Sequence, residues 1–283
     1  MVKISVIIPV YNVLSDNNWM YFKNLLNSIF ANIEKANKTE FEICQIIIVN
    51  DEPNVVIDKR VFEISRKYMN LITIINNEVN VGQAKSRNIG FENSKGNVLH
   101  FIDQDDYIDD KFYSRMIPFF SDSKVDFVIA NIKLVRNGKI KNYYKKLFIK
   151  IISNYGNLWA LRFFLAGNYI YSPGQYLISA ETFKKIKGFP ELIHKGTDDY
   201  GLLLNSTLHK CKYKYIYKSL FYYRLHSGQN KGKLDMEKSL RELFCHYKPT
   251  IYIFFLKIFK FNRILNCFKV FIFRLFFLES TKF

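Results

Sequence analysis

The chain has 283 residues, of which 49% are hydrophobic and 17% aromatic, enough to bury an ordinary core and too apolar for a disordered or fibrous chain. Lys and Arg total 42 against 25 Asp and Glu, so at neutral pH the surface attracts polyanions, anionic lipid or phosphorylated substrates. Four scattered cysteines, Cys44, Cys211, Cys245 and Cys267, show no CxxC or His-paired spacing, which argues against a zinc knuckle or disulfide framework and fits a reducing compartment.

The N-terminal "MVKISVIIPVYN" carries one Lys and a short apolar run broken by Pro9, too brief for a signal peptide. It reads as a first strand, and the body of the chain is expected in the cytoplasm. "CQIIIVND", "LITIINN" and "VLHFIDQDD" are further apolar runs of strand length, each ending in polar residues. Segments of helical length lie between them, around residues 19–37, 58–69 and 82–94. Strands apolar throughout and alternating with helices predict an α/β fold, a mainly parallel sheet covered on both faces, with ligands at the carboxyl ends of the strands. Asn12, Asp51 and the aspartates at 103–106 all fall at those ends.

"DFVIANIKLV" at 126–135 predicts another strand, and the basic stretch after it a hairpin turn or a mobile loop; residues 133–150 hold seven cations and no acid. "LWALRFFLAG" reads as a helix. "SPGQYLISAETFKKIKGFPE" combines a turn, a short strand and a short helix, and "TDDYGLLLNSTLHK" a helix opened by acids. Thr197, Asp198 and Asp199 have a plain explanation there as capping residues. These elements give a domain over 1–234, with halves at 1–130 and 131–234, and a basic apolar helical tail over 235–283. The tail's cations interrupt its apolar residues too often for a bilayer span. At about 100° per residue Lys257, Lys260, Arg263 and Arg274 share a third of the circumference while Lys269 falls elsewhere, as in a helix lying on anionic lipid or packed on the body or a partner.

Clustered carboxylates at a strand end need protons or cations, because neighbouring like charges repel. A divalent Mg2+ or Mn2+ shared with substrate phosphates is the simplest remedy. Asp103 and Asp105 are one residue apart, so on an extended segment they point the same way. An EF-hand loop is excluded, since Ile108 stands where its glycine is required. The competing explanation is an acidic turn capping a helix at "DDKFYSRM".

"SVIIPVYN" at 5–12, "IIIVND" at 46–51, "NVGQAKSRNIG" at 80–90 and "FIDQDD" at 101–106 occur in an order and spacing that resembles the family-2 glycosyltransferases of GT-A fold. The resemblance continues through "SPGQYLISAETFKKIKGF", "GTDDYGLLL" and "YRLHSGQN", reaching about residue 230. It implies a Rossmann-like nucleotide-sugar transferase, inverting and metal-dependent, acting in bacterial surface-polysaccharide assembly. Pro9 and Tyr11 would border the nucleotide base and Asp51 would hydrogen-bond it, although "DEPN" replaces the family's Gly-Ser-type turn. Gly82 would let the backbone approach the diphosphate, which Lys85 or Arg87 would meet. Asp103 would sit by the ribose and metal, Asp105 and His226 would bind the metal, and Asp106 would stand behind them. Asp199 would be the base, with Asp198 its alternative, and Gln175 would line the donor-sugar or acceptor pocket. The implied partners are a nucleotide-sugar donor, UDP-sugar favoured, and a glycan or lipid-linked acceptor, with a peripheral position on the inner membrane face and a homo-oligomer possible. Two rivals fit parts of the chain. A haloacid-dehalogenase-type phosphatase also places D-x-D after a strand, but on its first strand. A nucleic-acid-binding protein would use basic residues interleaved with Tyr, as in "KCKYKYIYK", without any accompanying zinc-finger or RNA-recognition signature.

Overall fold

A computed structural model describes residues 1–37, 39–121, 125–142, 170–193, 196–226 and 238–248. The expected helix in "LWALRFFLAG" and the tail beyond residue 248 lie outside the described residues. Among those described, the strands are β1 (Val2–Val10), β2 (Phe41–Asn50), β3 (Ile72–Asn76), β4 (Val98–Phe101), β5 (Tyr107–Ile108), β6 (Phe127–Arg136), β7 (Lys139–Asn142), β8 (Tyr176–Ser179) and β9 (Tyr213–Leu225). The helices are α1 (Asp16–Glu34), α2 (Asp58–Ser65), α3 (Gln83–Glu92), α4 (Phe112–Met116), α5 (Ala180–Lys185), α6 (Asp198–Leu208) and α7 (238–248).

All nine strands join one sheet in the order β3-β2-β1-β4-β8-β6-β9-β5, with β7 paired to β6. The first four are mutually parallel, as their apolar runs predict. Beyond β4 the sheet is mixed: β8 runs antiparallel between β4 and β6, whereas β6 and β9 are parallel. The β6–β7 hairpin turns on Asn137 and Gly138, both at positive φ, the backbone a tight two-residue hairpin requires.

Alternation in the apolar strands explains their lack of polar residues. Ile4, Val6 and Ile8 of β1, with Ile46 and Ile48 of β2, pack with Phe22 and Leu26 of α1 and Phe112 of α4 on one face. Ile7, Ile47 and Val49 point the other way, into a second core with Phe183 of α5, Leu203 of α6 and Leu243 of α7. Both faces are dry, so both residue parities must be apolar.

Register fixes the rim. Val10 pairs with Asn50 and Asn50 with Asn76, while Ile7 pairs with Phe101. Tyr11, Asp51, Asn77 and Asp103, each just past a strand end, therefore emerge along one edge. Arg136 pairs with Leu225, so His226 leaves β9 beside the basic β6–β7 hairpin.

His100 anchors the floor behind this rim. Its Nε2 lies 3.0 Å from the Gly174 carbonyl and its Nδ1 2.7 Å from the Tyr113 hydroxyl. A carbonyl only accepts, so Nε2 carries the proton and Nδ1 accepts from Tyr113. Burial holds this imidazole neutral, its pKa pushed down to about 4. The bond ties β4 to the turn carrying Ser172, which reaches the cleft residues described next.

Candidate active site

A cleft of about 790 Å³ opens on the rim, bordered by Pro9 and Tyr11, by Asp51, by Gly82 and Lys85 and by Asp103 and Asp105. Asp198, Asp199 and His226 complete it from the second half of the chain. These six separate stretches of sequence thus meet in one concavity.

Asp51 is buried and its carboxylate is engaged by the chain itself. Oδ1 accepts from the Val81 N–H and the Asn77 amide, both at 2.9 Å, and Oδ2 from the Gly82 N–H at 2.9 Å. It therefore clamps the loop that leads into α3. Gly82, the residue before that helix, has φ +85°, which a side chain would strain. The result is an α3 N-terminus facing the cleft at Gly82, Gln83, Ala84 and Lys85, where the helix dipole and first-turn N–H groups favour an anion. Lys85 is exposed on this rim.

Gln104, the middle residue of D-x-D, has a role that spacing alone does not reveal. Its Oε1 accepts from the Tyr11 N–H at 2.9 Å and its Nε2 donates to the Tyr11 carbonyl at 3.0 Å. This reciprocal pair fixes the end of β1 while leaving Tyr11 56% exposed, its ring available to stack on a planar ligand.

Arg87 does not meet the cleft as expected. Its side chain is 0% exposed, beneath the floor, where its guanidinium is bonded to three carboxylates. Nη2 donates to Asp103 at 2.7 Å; Nη1 donates to Asp198 at 2.7 Å and Asp199 at 2.9 Å. The Phe189 ring covers the guanidinium with 5.0 Å from Cζ to the ring centroid. Burial opposes the charge on Arg87, but Asp199, Asp103 and Asp198 outweigh it and hold the group protonated. One cation thus ties the donor-side aspartate to the pair at the start of α6. Three carboxylates share that single cation, and burial pushes the Asp199 carboxyl well above its ordinary range, Arg87 opposing and Asp198 and Asp103 adding to the rise.

Asp103 and Asp105 diverge, contrary to the extended-segment expectation. The Asp106 N–H bonds the Asp103 carbonyl at 3.2 Å, closing a turn. Asp103 Oδ1 takes Arg87 and Gln83, and Oδ2 accepts from Ser172 at 3.2 Å. Asp105 Oδ2 instead lies 2.8 Å from His226 Nε2, under the ring of Tyr21, whose centroid is 5.2 Å from the imidazole. Asp106 is buried behind them, accepting from the Arg224 N–H at 2.9 Å, and burial followed by the charges of Asp105 and Asp103 pushes its carboxyl well above the usual range.

The donor set suits a hard divalent cation at Asp105 and His226, a carboxylate and an imidazole that share the cleft wall and each other's company. Among the described residues no group of three His, Cys, Asp or Glu is arranged around a common metal position. Asp103 stands apart because Arg87, Gln83 and Ser172 already engage both its oxygens. Substrate oxygens would have to complete the shell, as they commonly do for Mg2+ and Mn2+.

Gln175 does not border the cleft. Its amide is buried, donating to the Ala130 carbonyl at 2.9 Å and accepting from the Tyr171 N–H at 3.1 Å, because the turn Pro173–Gln175 aims it at β6. Tyr171 and Tyr223 line the cleft in its stead. The capping explanation for "TDD" also fails: α6 has no side-chain cap, and its acids turn to Arg87.

Comparison with known proteins agrees with this architecture. Residues 5–186, more than half the chain, match the family model described as Glycosyl transferase family 2. The chain is 26% identical over 236 residues to "Glycosyltransferase GlyA" of Streptococcus pneumoniae, covering 80% of this chain and 31% of that protein. It is 29% identical over 142 residues to the poly(ribitol-phosphate) beta-N-acetylglucosaminyltransferase TarS of Staphylococcus aureus, covering 49% of this chain and 22% of that protein. The chain thus spans about a third or less of the length of these curated relatives. The crystal structure of S. aureus TarS residues 1–349 in complex with UDP-GlcNAc superposes with a TM-score of 0.63 at 22% identity, over 95% of this chain and 75% of that one.

Proposed function

Because the chain belongs to glycosyl transferase family 2, we propose that it is an inverting hexosyltransferase that moves a sugar from a UDP-sugar to a hydroxyl of an anionic bacterial surface glycan or lipid-linked precursor. The observation that carries this reading is the division of labour across one cleft. Tyr11, the α3 N-terminus and Lys85 offer a ring face and a cationic edge suited to a nucleoside diphosphate. Asp199 borders the cleft from the second half of the chain and is tied to the donor side through Arg87. The fold shared with TarS and the UDP-GlcNAc held by that protein support the choice of donor.

In this reading the acceptor oxygen attacks the anomeric carbon of the donor. Its proton passes to an Asp199 oxygen, the new C–O bond forms, and the bond to the diphosphate breaks, releasing UDP with inversion. A divalent ion held by Asp105 and His226 would neutralise charge on the departing diphosphate. Asp103 and Asp198 orient Arg87, which in turn keeps Asp199 in place. The phosphatase reading is not favoured: it would need Asp103 free as a nucleophile, and Arg87, Gln83 and Ser172 engage it.

UDP release from UDP-GlcNAc, UDP-Glc and UDP-Gal with Mn2+ tests the proposal. At least one donor is expected to turn over, and Asp105→Ala to abolish that turnover with its melting temperature retained. Unchanged turnover by the variant would remove the metal role, and a chain inert towards UDP-, GDP- and dTDP-sugars alike would remove the transferase reading.

The acceptor's charge is inferred from the basic surface. Arg136, Lys139 and Lys141 are exposed on the hairpin beside His226, within a run free of acids. The same reading places the protein at the cytoplasmic membrane face, through the cations and apolar residues of the tail. Among the described residues no helix is long and apolar enough to cross a membrane. The full chain is expected to float with phosphatidylglycerol liposomes at low salt and a chain ending at residue 248 to bind them less; equal flotation would dismiss the tail as the anchor.

A further inference from the structure

We infer that α7 is a brace for the acceptor-side wall of the cleft, and that Ser239 and Glu242 are positioning residues for the transfer step. The inference rests on the reading of Asp199 as the base, and it concerns a helix that lies beyond the residues matched by the family model.

The wall in question is one stretch of chain. Pro190, Glu191 and Leu192 border the cleft at one end of it, and Gly196, Asp198 and Asp199 at the other. α7 holds it at both ends. Glu242 Oε1 accepts from the Ile193 N–H at 2.6 Å. Four residues on, the Thr197 hydroxyl lies 2.7 Å from the Ser239 hydroxyl, and both side chains are buried. Leu243, the residue after Glu242, is fully buried. A Cβ at Gly201, in the first turn of α6, would come within 2.6 Å of Leu243 Cδ1 and 2.5 Å of Pro190 Cγ. Helix α6, the Pro190 end of the wall and α7 therefore meet with no room for even a methyl group.

Thr197 carries the strongest indication. It occupies the N-cap position of α6, where a threonine hydroxyl ordinarily accepts from an N–H of the first turn. Here it makes no such bond and is given to Ser239 instead. The next two residues are Asp198 and Asp199. The start of the helix that presents the base is thus located from outside by α7, one bond away in sequence from the carboxylates that face Arg87.

The donor side meets this wall through Arg87 and Asn88 of α3, but its ligand-facing parts have supports of their own. Tyr11, Asp51 and the α3 N-terminus are held by Gln104 and by Asp51 itself. Loosening α7 should displace Asp199 relative to the anomeric carbon without disturbing nucleotide binding. A misplacement of about 1 Å commonly costs on the order of 100-fold in rate.

The experiment compares Glu242→Ala, Glu242→Gln, Ser239→Ala and the double variant Ser239→Ala/Glu242→Ala with Asp199→Asn. It uses the full chain, UDP-GlcNAc or whichever UDP-sugar turns over, and calorimetric UDP binding. The double variant is expected to lose roughly 10- to 100-fold in kcat while UDP affinity stays within about twofold. Glu242→Gln should retain most activity, because its amide oxygen still accepts from Ile193. Wild-type kcat in the double variant, alongside an inactive Asp199→Asn, would overturn the brace and leave the base assignment standing. An active Asp199→Asn would remove the base assignment and the inference with it. Equal losses in kcat and UDP affinity would reduce α7 to a general structural support and overturn the positioning role; Glu242→Ala, whose contact is at the surface, preserves that distinction if the double variant folds poorly.

Discussion

Arg87→Met is expected to lower the unfolding free energy by about 3–5 kcal/mol, the loss typical when one partner of a buried ion pair is removed. Methionine matches much of the aliphatic length and would still pack under Phe189. It would leave Asp103, Asp198 and Asp199 facing one another with no cation between them. Like charges in a dry site must then take up protons or move apart. Either response disables the cleft, since a protonated Asp199 accepts no further proton and a displaced Asp103 releases Gln83 and Ser172. Urea denaturation at neutral pH measures the stability loss. The destabilisation should shrink as pH falls, because protonation removes the repulsion that the variant exposes. A pH-independent loss would mean that Arg87 acts by packing alone. Arg87→Lys should be nearly as damaging, because one ammonium cannot reproduce the two guanidinium nitrogens that reach carboxylates from both halves of the chain.

The same guanidinium marks where reading the chain reaches its limit. β1 and β2 are legible because burial on both faces demands the apolar runs Val6–Ile8 and Ile46–Val49, and the strand ends follow from the polar residues that break those runs. The convergence of Asp51 with the aspartates at 103–106 is legible from the strand ends, and that of Asp199 only through the ordered set of motifs. The partner of "TDD" is not legible at all: Arg87 lies 111 residues from Asp198, and local spacing favours the capping explanation. Gln104 was hidden for a similar reason, since the middle residue of D-x-D carries no charge and its bonds run to the Tyr11 backbone. The resemblance alone put Gln175 in the pocket, whereas the Ser172 hydroxyl accepts from the Gly174 N–H and the Gln175 amide turns inward to the Ala130 carbonyl. β9 had a usable signal, the alternation of Tyr and Lys in "YKYIYK", which is a strand pattern before it is a nucleic-acid one.

Asp199→Asn is expected to lower kcat for UDP release by about 100- to 10,000-fold, the usual contribution of a positioned general base, with UDP affinity unchanged. The amide keeps the size of the carboxyl and can still accept from Arg87, so the fold should hold; it cannot take the acceptor's proton. Asp198→Asn separates the two candidates, because both residues bond the same Arg87 nitrogen. If Asp199 is the base, Asp198→Asn should retain activity to within about tenfold, and the reverse order would reassign the role. The pH profile adds a test that a structural role would not pass. A base works when deprotonated, so activity falls as pH falls through its pKa, and burial places that pKa above the ordinary aspartate range. The acid limb of kcat should therefore lie above that of a solvent-exposed aspartate. Asp198→Asn removes a neighbouring negative charge and leaves more of Arg87 to Asp199, so the limb should move to lower pH. A limb that stays fixed in this variant would assign the titration to another group and take Asp199 out of the proton transfer.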